Sequence, residues 1–307
     1  MSPGGELRRQ RDGSVVRPPR WGLAAPALLW WLFFFVAAFA AIAFYSLGQK
    51  APYTAREPVT FETLTLGNYE EALSPVFLQV FWITLRTAGL GTLACLLVGF
   101  PVAYALATRV PQRLRPWLLF LLILPYWISF LLRTFAWRII LAPEGAFSGF
   151  LQASGILEAP LAILDTQAAV QLGIIYNYLP VAILPIFVAL DRIDPELRRA
   201  SMDLGAGRIA TFLEITLPLA APGIIAAALL TFVLAAGDYV VPAILGGARG
   251  LMIGTLIAIQ ILGAQNLPLG AAMAITLIAI LALGGAVVAV VIMLIKRAIR
   301  ATRGPAI

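Results

Sequence analysis

The chain has 307 residues, of which 61% are hydrophobic and 12% charged, and its formal net charge is +7. Soluble proteins carry about 25% charged residues, so this composition excludes a soluble domain, and long continuous apolar runs favour membrane helices over a β-barrel. The lack of histidine excludes imidazole catalysis and histidine-bound metals. The lone cysteine, Cys95, excludes an internal disulfide and is expected to be a packing residue within its apolar run.

The first predicted element is a cytoplasmic basic tail, residues 1–20, which contains five arginines together with glycine and proline. Residues 21–49 carry no charge, so the first membrane span is predicted at about 22–48. A cleaved signal peptide is the alternative, but its apolar core would be only about 7–15 residues long. A retained membrane helix is therefore favoured.

Five further spans follow from the apolar runs, within a transmembrane domain predicted over residues 21–303. We place these spans at about 80–108, 116–141, 168–190, 220–245 and 270–295. The stretch "MIGTLIAIQIL" that begins at residue 252 is also apolar, but it is shorter than the roughly 20 residues that a helical span needs. It is predicted as a short helix that lies at the outer face or is tucked into the protein.

The positive charges indicate the orientation of these six spans. The tail, the 109–115 loop, the 191–218 loop and the C-terminus would share one side, and together they carry 16 of the 22 lysines and arginines. The positive-inside rule then predicts that both termini are cytoplasmic, with the chain in a bacterial inner membrane. A seventh span would place the basic C-terminus outside. Because this distribution follows membrane topology, the net charge does not indicate a nucleic-acid partner.

The segment 191–218 is too polar to span a bilayer and too regular for a slack loop. Asp194 can cap a helix whose first residue is Pro195, and Gly205 can end that helix in a left-handed conformation. A second helical stretch follows, which Pro218 is expected to break or kink. Small residues around the glycine leave a face that another protein could approach. The alternative is an amphipathic connector that rests on its own helix bundle.

This segment resembles the cytoplasmic signature of type I ABC importer permeases, E-A-A, three residues, G, nine residues, I, one residue, L-P. Every spacing is kept, with arginine in place of the usual glutamate and serine in place of the second alanine. The resemblance implies a six-span permease fold with a cytoplasmic coupling helix that docks on an ATPase subunit. The residues it assigns to coupling are Arg199, Ala200, Ser201, Asp203, Leu204, Gly205, Ile215, Leu217 and Pro218.

Other stretches are similar to the spermidine/putrescine branch of these permeases, over roughly residues 65–297. They include "LPYWISFLLRTFAW" from residue 124, "YNYLPVAILPIFVALDRID" from residue 176 and "AAGDYVVPAILGG" from residue 235. The resemblance implies a small solute, a polyamine or a related opine-like molecule. That solute would be handed over by an external binding protein.

Polar residues inside the predicted spans are candidates for the substrate pathway, because an intramembrane charge costs about 3 kcal/mol. Asp238, beside Tyr239, either lines the pathway and attracts a cationic solute or forms an ion pair with Arg133 or Arg138. Arg133 either faces the cavity with Tyr126 and Trp137 or extends to the lipid headgroups. For Arg138, near the outer end, extension to the headgroups is favoured. Tyr176 and Asn177, with Pro180, form either a resatisfied helix kink or a substrate contact.

The chain has no G-x-x-x-x-G-K-[ST] motif to hold a nucleotide phosphate, and its only lysines are Lys50 and Lys296. We therefore expect no cofactor and no enzymatic activity in this chain, with ATP and magnesium bound by two separate ATPase subunits. Six spans make half a pore, so a second, homologous permease of different sequence is expected as a partner. The alternatives are an ion-gradient-driven transporter of a small cationic solute and a membrane enzyme. The former would show paired broken helices, and the latter a cluster of acidic residues or histidines.

Overall fold

The computed structural model describes residues 21–51 and 59–302, so the predicted basic tail, residues 1–20, lies outside the described residues. The described chain is almost entirely helical, as predicted, with one two-residue β-hairpin in which Gln49 pairs with Thr60 and Lys50 with Val59. In chain order the elements are α1 (Trp21–Ser46), β1 (Gln49–Lys50), β2 (Val59–Thr60), α2 (Gly67–Ala72), α3 (Pro75–Thr108), α4 (Arg115–Ile123), α5 (Phe130–Ile140), α6 (Ala146–Ala153), α7 (Gln167–Asp191), α8 (Pro195–Asp203), α9 (Arg208–Thr211), α10 (Leu217–Gly237), α11 (Ile253–Ala258) and α12 (Leu267–Thr302).

Five helices in the described chain are long and apolar enough to cross a membrane. Two further helix pairs pass the same test together but are sharply bent, so the count rises to seven if each pair is one span. The five continuous helices are Ala25–Ser46, Pro75–Thr108, Gln167–Asp191, Arg208–Gly237 and Leu267–Val287.

The third predicted span, 116–141, is not one continuous helix. Arg115–Trp127 and Phe130–Ile140 meet at an angle of 85°. Pro125 lies in a 3-10 turn at the end of the first helix, and Ile128 and Ser129 that follow it have extended backbone. Proline has no N–H to continue the hydrogen-bond ladder of an α-helix, and the extended backbone that follows leaves helical geometry. The helix is therefore broken here.

The fifth predicted span, 220–245, begins and ends elsewhere in the structure. One helix runs from Arg208 to Gly237, and Asp238 then takes extended backbone. The chain continues as a second bent pair, Pro242–Gly250 and Ile253–Gly263, whose two parts meet at 98°. The predicted short helix near residue 252 is the second part of this pair. It is tucked into the protein, where the buried Ile253 donates its N–H to Thr84 Oγ1 at 2.8 Å.

Of the two outcomes predicted at Pro218, a break or a kink, the break is wrong, because the helix continues through it. A π-helical turn, Phe212–Thr216, joins α9 to α10, and Pro218 is the second residue of α10. The missing N–H of the proline thus falls where the helix has already widened from α to π geometry. The ladder of hydrogen bonds is rearranged at one turn and the helix axis is continuous.

Helix α7 is the centre of the bundle and packs against α3 on one side and α10 on the other. Glycines allow both approaches: a Cβ at Gly91 of α3 would lie 2.6 Å from Ile174 Cγ2, and one at Gly223 of α10 would lie 2.6 Å from the Pro185 carbonyl. Cys95 is fully buried between α3 and α7, which is the packing role predicted for it. By contrast, α1 lies against α12 with its side chains exposed from residue 26 to residue 45.

Candidate functional site

The segment predicted to couple to an ATPase folds as two short helical limbs around a glycine. Asp194 caps α8, because its Oδ1 accepts the Glu196 N–H at 2.9 Å, and Pro195 occupies the first turn. Gly205 has a φ of +89°, the left-handed conformation that only glycine adopts without cost. The Ser201 and Thr211 hydroxyls lie 3.1 Å apart and tie the two limbs together. We call residues 195–211 the elbow.

The elbow presents apolar side chains to solvent at its tip. Leu204 is 90% exposed and Ile209 is 76% exposed, and no residue of α8 is buried. Leu197, Met202 and Leu213 are also exposed. A contiguous apolar surface of this kind on a polar segment is characteristic of a protein-binding site.

The signature residues divide between the elbow and the helix that leaves it. Arg199, Ala200, Asp203, Leu204 and Gly205 are exposed, and Ser201 is half-buried through its contact with the second limb. Ile215 lies half-buried in the π turn, Leu217 is half-buried at the start of α10, and Pro218 is exposed. The first half of the signature therefore lies on the free surface, and the second half forms the junction with the bundle.

Aromatic rings fix the elbow to the end of α3. Phe212 makes edge-on contacts with Phe100 at 5.7 Å and with Tyr104 at 5.8 Å between ring centroids. The Arg198 guanidinium lies over the Tyr104 ring at 6.0 Å. At the same end of the bundle, Arg115 forms an ion pair with Asp191 at the end of α7. Displacement of the elbow would thus act on α3 and α10 together.

Arg133 is buried within the described chain, so the alternative in which its side chain extends to the headgroups is wrong. Only 7% of the residue is exposed. Its Nε donates to Asn177 Oδ1 at 2.8 Å and its Nη1 donates to the Pro125 carbonyl at 3.0 Å. Its guanidinium lies 4.6 Å from the centre of the Tyr126 ring, and the Tyr126 hydroxyl donates to the Asn177 carbonyl. This network joins the broken third span to α7.

Asn177 and Pro180 do not interrupt α7, which is helical from Gln167 to Asp191. The Asn177 amide donates to the Gly173 carbonyl at 3.0 Å while its oxygen accepts from Arg133. At the polar break predicted from the sequence, internal hydrogen bonds satisfy both ends of the Asn177 side-chain amide.

Asp238 forms an ion pair with neither Arg133 nor Arg138. Within residues 21–51 and 59–302 it is 6% exposed, and its Oδ1 accepts the N–H groups of Val240 and Val241 at 2.8 and 3.2 Å. The Tyr178 hydroxyl donates to Oδ2 at 3.1 Å. The carboxylate thus caps the turn that follows α10. Tyr239, the next residue, points outward and is exposed.

Arg138 is partly exposed and is also bonded within the protein, so its extension toward the headgroups stays a prediction. It forms an ion pair with Asp165 at 3.4 Å and donates a hydrogen bond to the Ile244 carbonyl. Asp165 has a φ of +58° and its N–H donates to the Leu245 carbonyl at 2.9 Å. These contacts connect α5, the loop before α7 and the second bent pair.

Two adjoining cavities lie along the open face of α7, and we call them together the outer groove. One, of about 470 Å³, lies between α3 and the start of α7; the other, of about 500 Å³, lies between α7 and α5. They share Ala168 and Gln171. The first is lined by Ile83, Arg86, Thr87, Leu90, Gln167, Ala168, Gln171 and Arg249, and the second by Trp137, Ala168, Gln171, Leu172, Ile175, Tyr176 and Leu179.

The outer groove separates the residues predicted for the pathway into two sets. Trp137 and Tyr176 line it, with their rings in an edge-on contact at 5.1 Å. Arg133, Tyr126, Asn177 and Asp238 belong to the internal networks instead. Arg86 was not among the residues predicted for the pathway. A single charge within the apolar run of α3 is nevertheless a recognisable sign of a functional site.

The bundle, its bent pairs and the exposed elbow define a membrane permease of the ABC importer class. A family model described as "Binding-protein-dependent transport system inner membrane component" matches residues 96–301, and the chain belongs to this family. It is 38% identical over 233 residues to the spermidine/putrescine transport system permease protein PotB of Escherichia coli (strain K12), covering 75% of this chain and 84% of that one.

Solved structures show the same fold. A bacterial ABC transporter involved in the import of the acidic polysaccharide alginate superposes with a TM-score of 0.66 at 18% identity, covering 93% of this chain and 96% of that one. The alginate transporter in complex with its alginate pentasaccharide-bound periplasmic protein gives a TM-score of 0.65 at 17% identity, with coverages of 86% and 90%. At this identity the likeness shows the architecture alone, and it confirms the predicted fold class.

Proposed function

We propose that the chain forms half of the translocation pathway of an ATP-driven importer in a bacterial inner membrane. The five continuous helices and the broken span Arg115–Ile140 make six crossings, and the bent pair after Asp238 enters and leaves on the outer side. With six crossings both termini lie on the same side, and the positive-inside rule supports the cytoplasm as that side. A second, homologous permease of different sequence completes the pore.

The exposed elbow is the observation that carries the proposal. Its apolar tip is in water when the chain is alone, and burial of each large apolar side chain in a partner is worth about 2 kcal/mol. The partner we propose is one of two cytoplasmic ATPase subunits, which bind ATP and magnesium. This chain then needs no cofactor and no catalytic residue of its own.

ATP-driven closure of the ATPases would move the elbow and, with it, the two helices to which it is fixed. The Phe212 ring contacts connect the elbow to α3, and the π turn continues it directly into α10. Switching between inward-open and outward-open states follows from movement of these helices against α7.

The similarity to PotB supports a polyamine or a related opine-like amine as the solute, with an external binding protein to deliver it. The family description names binding-protein-dependent transport, which supports that partner. Since the external protein selects most of what enters, the proposal commits to a small amine rather than to one molecule.

The experiment is uptake, measured in parallel for radiolabelled putrescine and radiolabelled 4-aminobutyrate, into proteoliposomes that hold the permease pair, the ATPases and the external binding protein. A Gly205→Leu variant should lose uptake by about tenfold or more, because a side chain at positive φ strains the elbow and blocks close approach of the ATPase. Gly155→Leu is the matched control, since Gly155 also has positive φ, +72°, and open space around it but lies in the loop after α6.

Uptake should continue when an ionophore collapses the proton gradient while ATP is present. Uptake that needs the gradient and survives removal of the ATPases would instead establish an ion-gradient-driven transporter. Equal, full activity of both glycine variants would show that the elbow is not where the ATPase acts.

A further inference from the structure

We propose that the outer groove binds a solute that carries a carboxylate as well as an amine. The inference rests on the proposed import function and deepens it, because it names the charges that the solute must have. A simple diamine of the kind transported by the PotB systems would meet the wrong charge at one end of the groove.

The carboxylate end of the groove is formed by Arg86 and Arg249, which line the same cavity from α3 and from the 3-10 turn Gly247–Gly250 that ends the first part of the second bent pair. The described residues contain two ion pairs, Arg115–Asp191 and Arg138–Asp165, so neither arginine of the groove has a carboxylate partner there. Two unpaired guanidinium groups repel a polycation and attract an anion. Their planar donor geometry fits a carboxylate best.

The amine end of the groove is aromatic. Trp137 and Tyr176 meet edge-on in the adjoining cavity and leave ring surface toward the open space. Aromatic faces attract an ammonium group without requiring a buried negative charge. From Gln171, which both cavities share, to Tyr176 the axis of α7 rises about 7.5 Å. The arginine end and the aromatic end thus follow one another along α7 on either side of Gln171, in the order that an amine and a carboxylate joined by a short aliphatic chain require.

The depth of the groove also fits a solute that arrives from outside. Counting the roughly 20 residues of a bilayer crossing back from the inner ends of α3 and α7, Thr108 and Asp191, the hydrocarbon region ends near residue 89 and near residue 172. Arg86 and Gln167 therefore lie in the outer interface, where charge is tolerated, and Tyr176 lies just inside the hydrocarbon. The groove leads from the outer interface toward the middle of the membrane.

The test compares three probes that share a four-carbon chain and differ only in charge: putrescine, 4-aminobutyrate and succinate. Binding to the assembled permease–ATPase complex in lipid nanodiscs, without ATP, is measured by saturation-transfer NMR. We expect 4-aminobutyrate to bind most tightly. Arg86→Gln and Arg249→Gln should each weaken it by about tenfold, the value of a charge-assisted contact, and should not weaken putrescine. Arg113→Gln, in the loop before α4 at the opposite end of α3, is the control and should leave all three unchanged.

Three results would overturn the proposal. Putrescine could bind more tightly than 4-aminobutyrate, or 4-aminobutyrate could bind equally well to both groove variants and the wild type. Alternatively, no probe binds and Arg86→Gln loses a co-purifying anionic phospholipid, which would make the groove a lipid headgroup site. None of these outcomes involves ATP, so the import function is judged separately by the ATP-dependent uptake of the wild-type complex.

Discussion

The elbow and the network around Arg133 are both polar segments of an apolar chain, but they differ in solvent exposure and in hydrogen bonding. The elbow exposes large apolar side chains, and few of its bonds leave it. The Arg133 network is buried, and its donors and acceptors bond to one another. A charged residue in a membrane protein thus indicates function only when its bonding capacity is left open. When that capacity is filled, the residue holds helices together.

The sharpest test of this contrast removes a partner from the buried network. Asn177→Leu leaves the Arg133 guanidinium without its side-chain acceptor in a dry site, and we expect a loss of stability of about 3 kcal/mol. Denaturant titration of the purified permease complex measures it. If the variant unfolds like the wild type but transports less, Asn177 belongs to the pathway and the contrast fails.

The converse test acts on the elbow. Replacing Leu204 and Ile209 together by serine should change the stability of the chain by less than about 0.5 kcal/mol, since both side chains are already in solvent. Binding of the ATPase should weaken by about 4 kcal/mol, about 2 for each side chain, which a titration of the labelled ATPase onto the complex measures. A loss of stability with unaltered ATPase binding would show that these residues pack on their own bundle.

The smallest effect is expected at Asp238, where substitution of one residue distinguishes a capping role from a role in the solute pathway. Asparagine caps a turn almost as well as aspartate, so Asp238→Asn should keep both stability and uptake, whereas Asp238→Ala should cost about 1 kcal/mol. Thermal unfolding and putrescine uptake of both variants provide the readout. Loss of uptake in the asparagine variant at normal stability would return Asp238 to the solute pathway.

The sequence predicted what depends on local pattern. Continuous apolar runs located the long helices, and the spacing of Asp194, Pro195 and Gly205 located the elbow, because caps and left-handed glycines are determined by near neighbours. The sequence also indicated that Pro218 disturbs its helix. It did not predict the π turn before Pro218, because that turn depends on how Phe212 packs against α3.

Contacts between distant parts of the chain could not be predicted from the sequence. Asp238 was weighed against arginines because opposite charges attract, but its carboxylate is satisfied by Tyr178, 60 residues away, and by two backbone groups. The break near Pro125 depends likewise on Arg133 reaching back to the proline carbonyl. The sequence also does not show that Arg86 and Arg249, which are far apart along the chain, line the same cavity.

The unbroken helix from Arg208 to Gly237 has a mechanical consequence. Its 30 residues form a rod about 45 Å long, and Gly223, which packs directly on the backbone of α7 at Pro185, lies at its midpoint beside Pro222. A rod that pivots at its centre swings its two tips in opposite directions by equal amounts. An inward pull on the tip at the elbow would therefore carry the far tip, which ends beside Asp238, outward, so one seesaw stroke could shut one mouth of the pore as it opens the other.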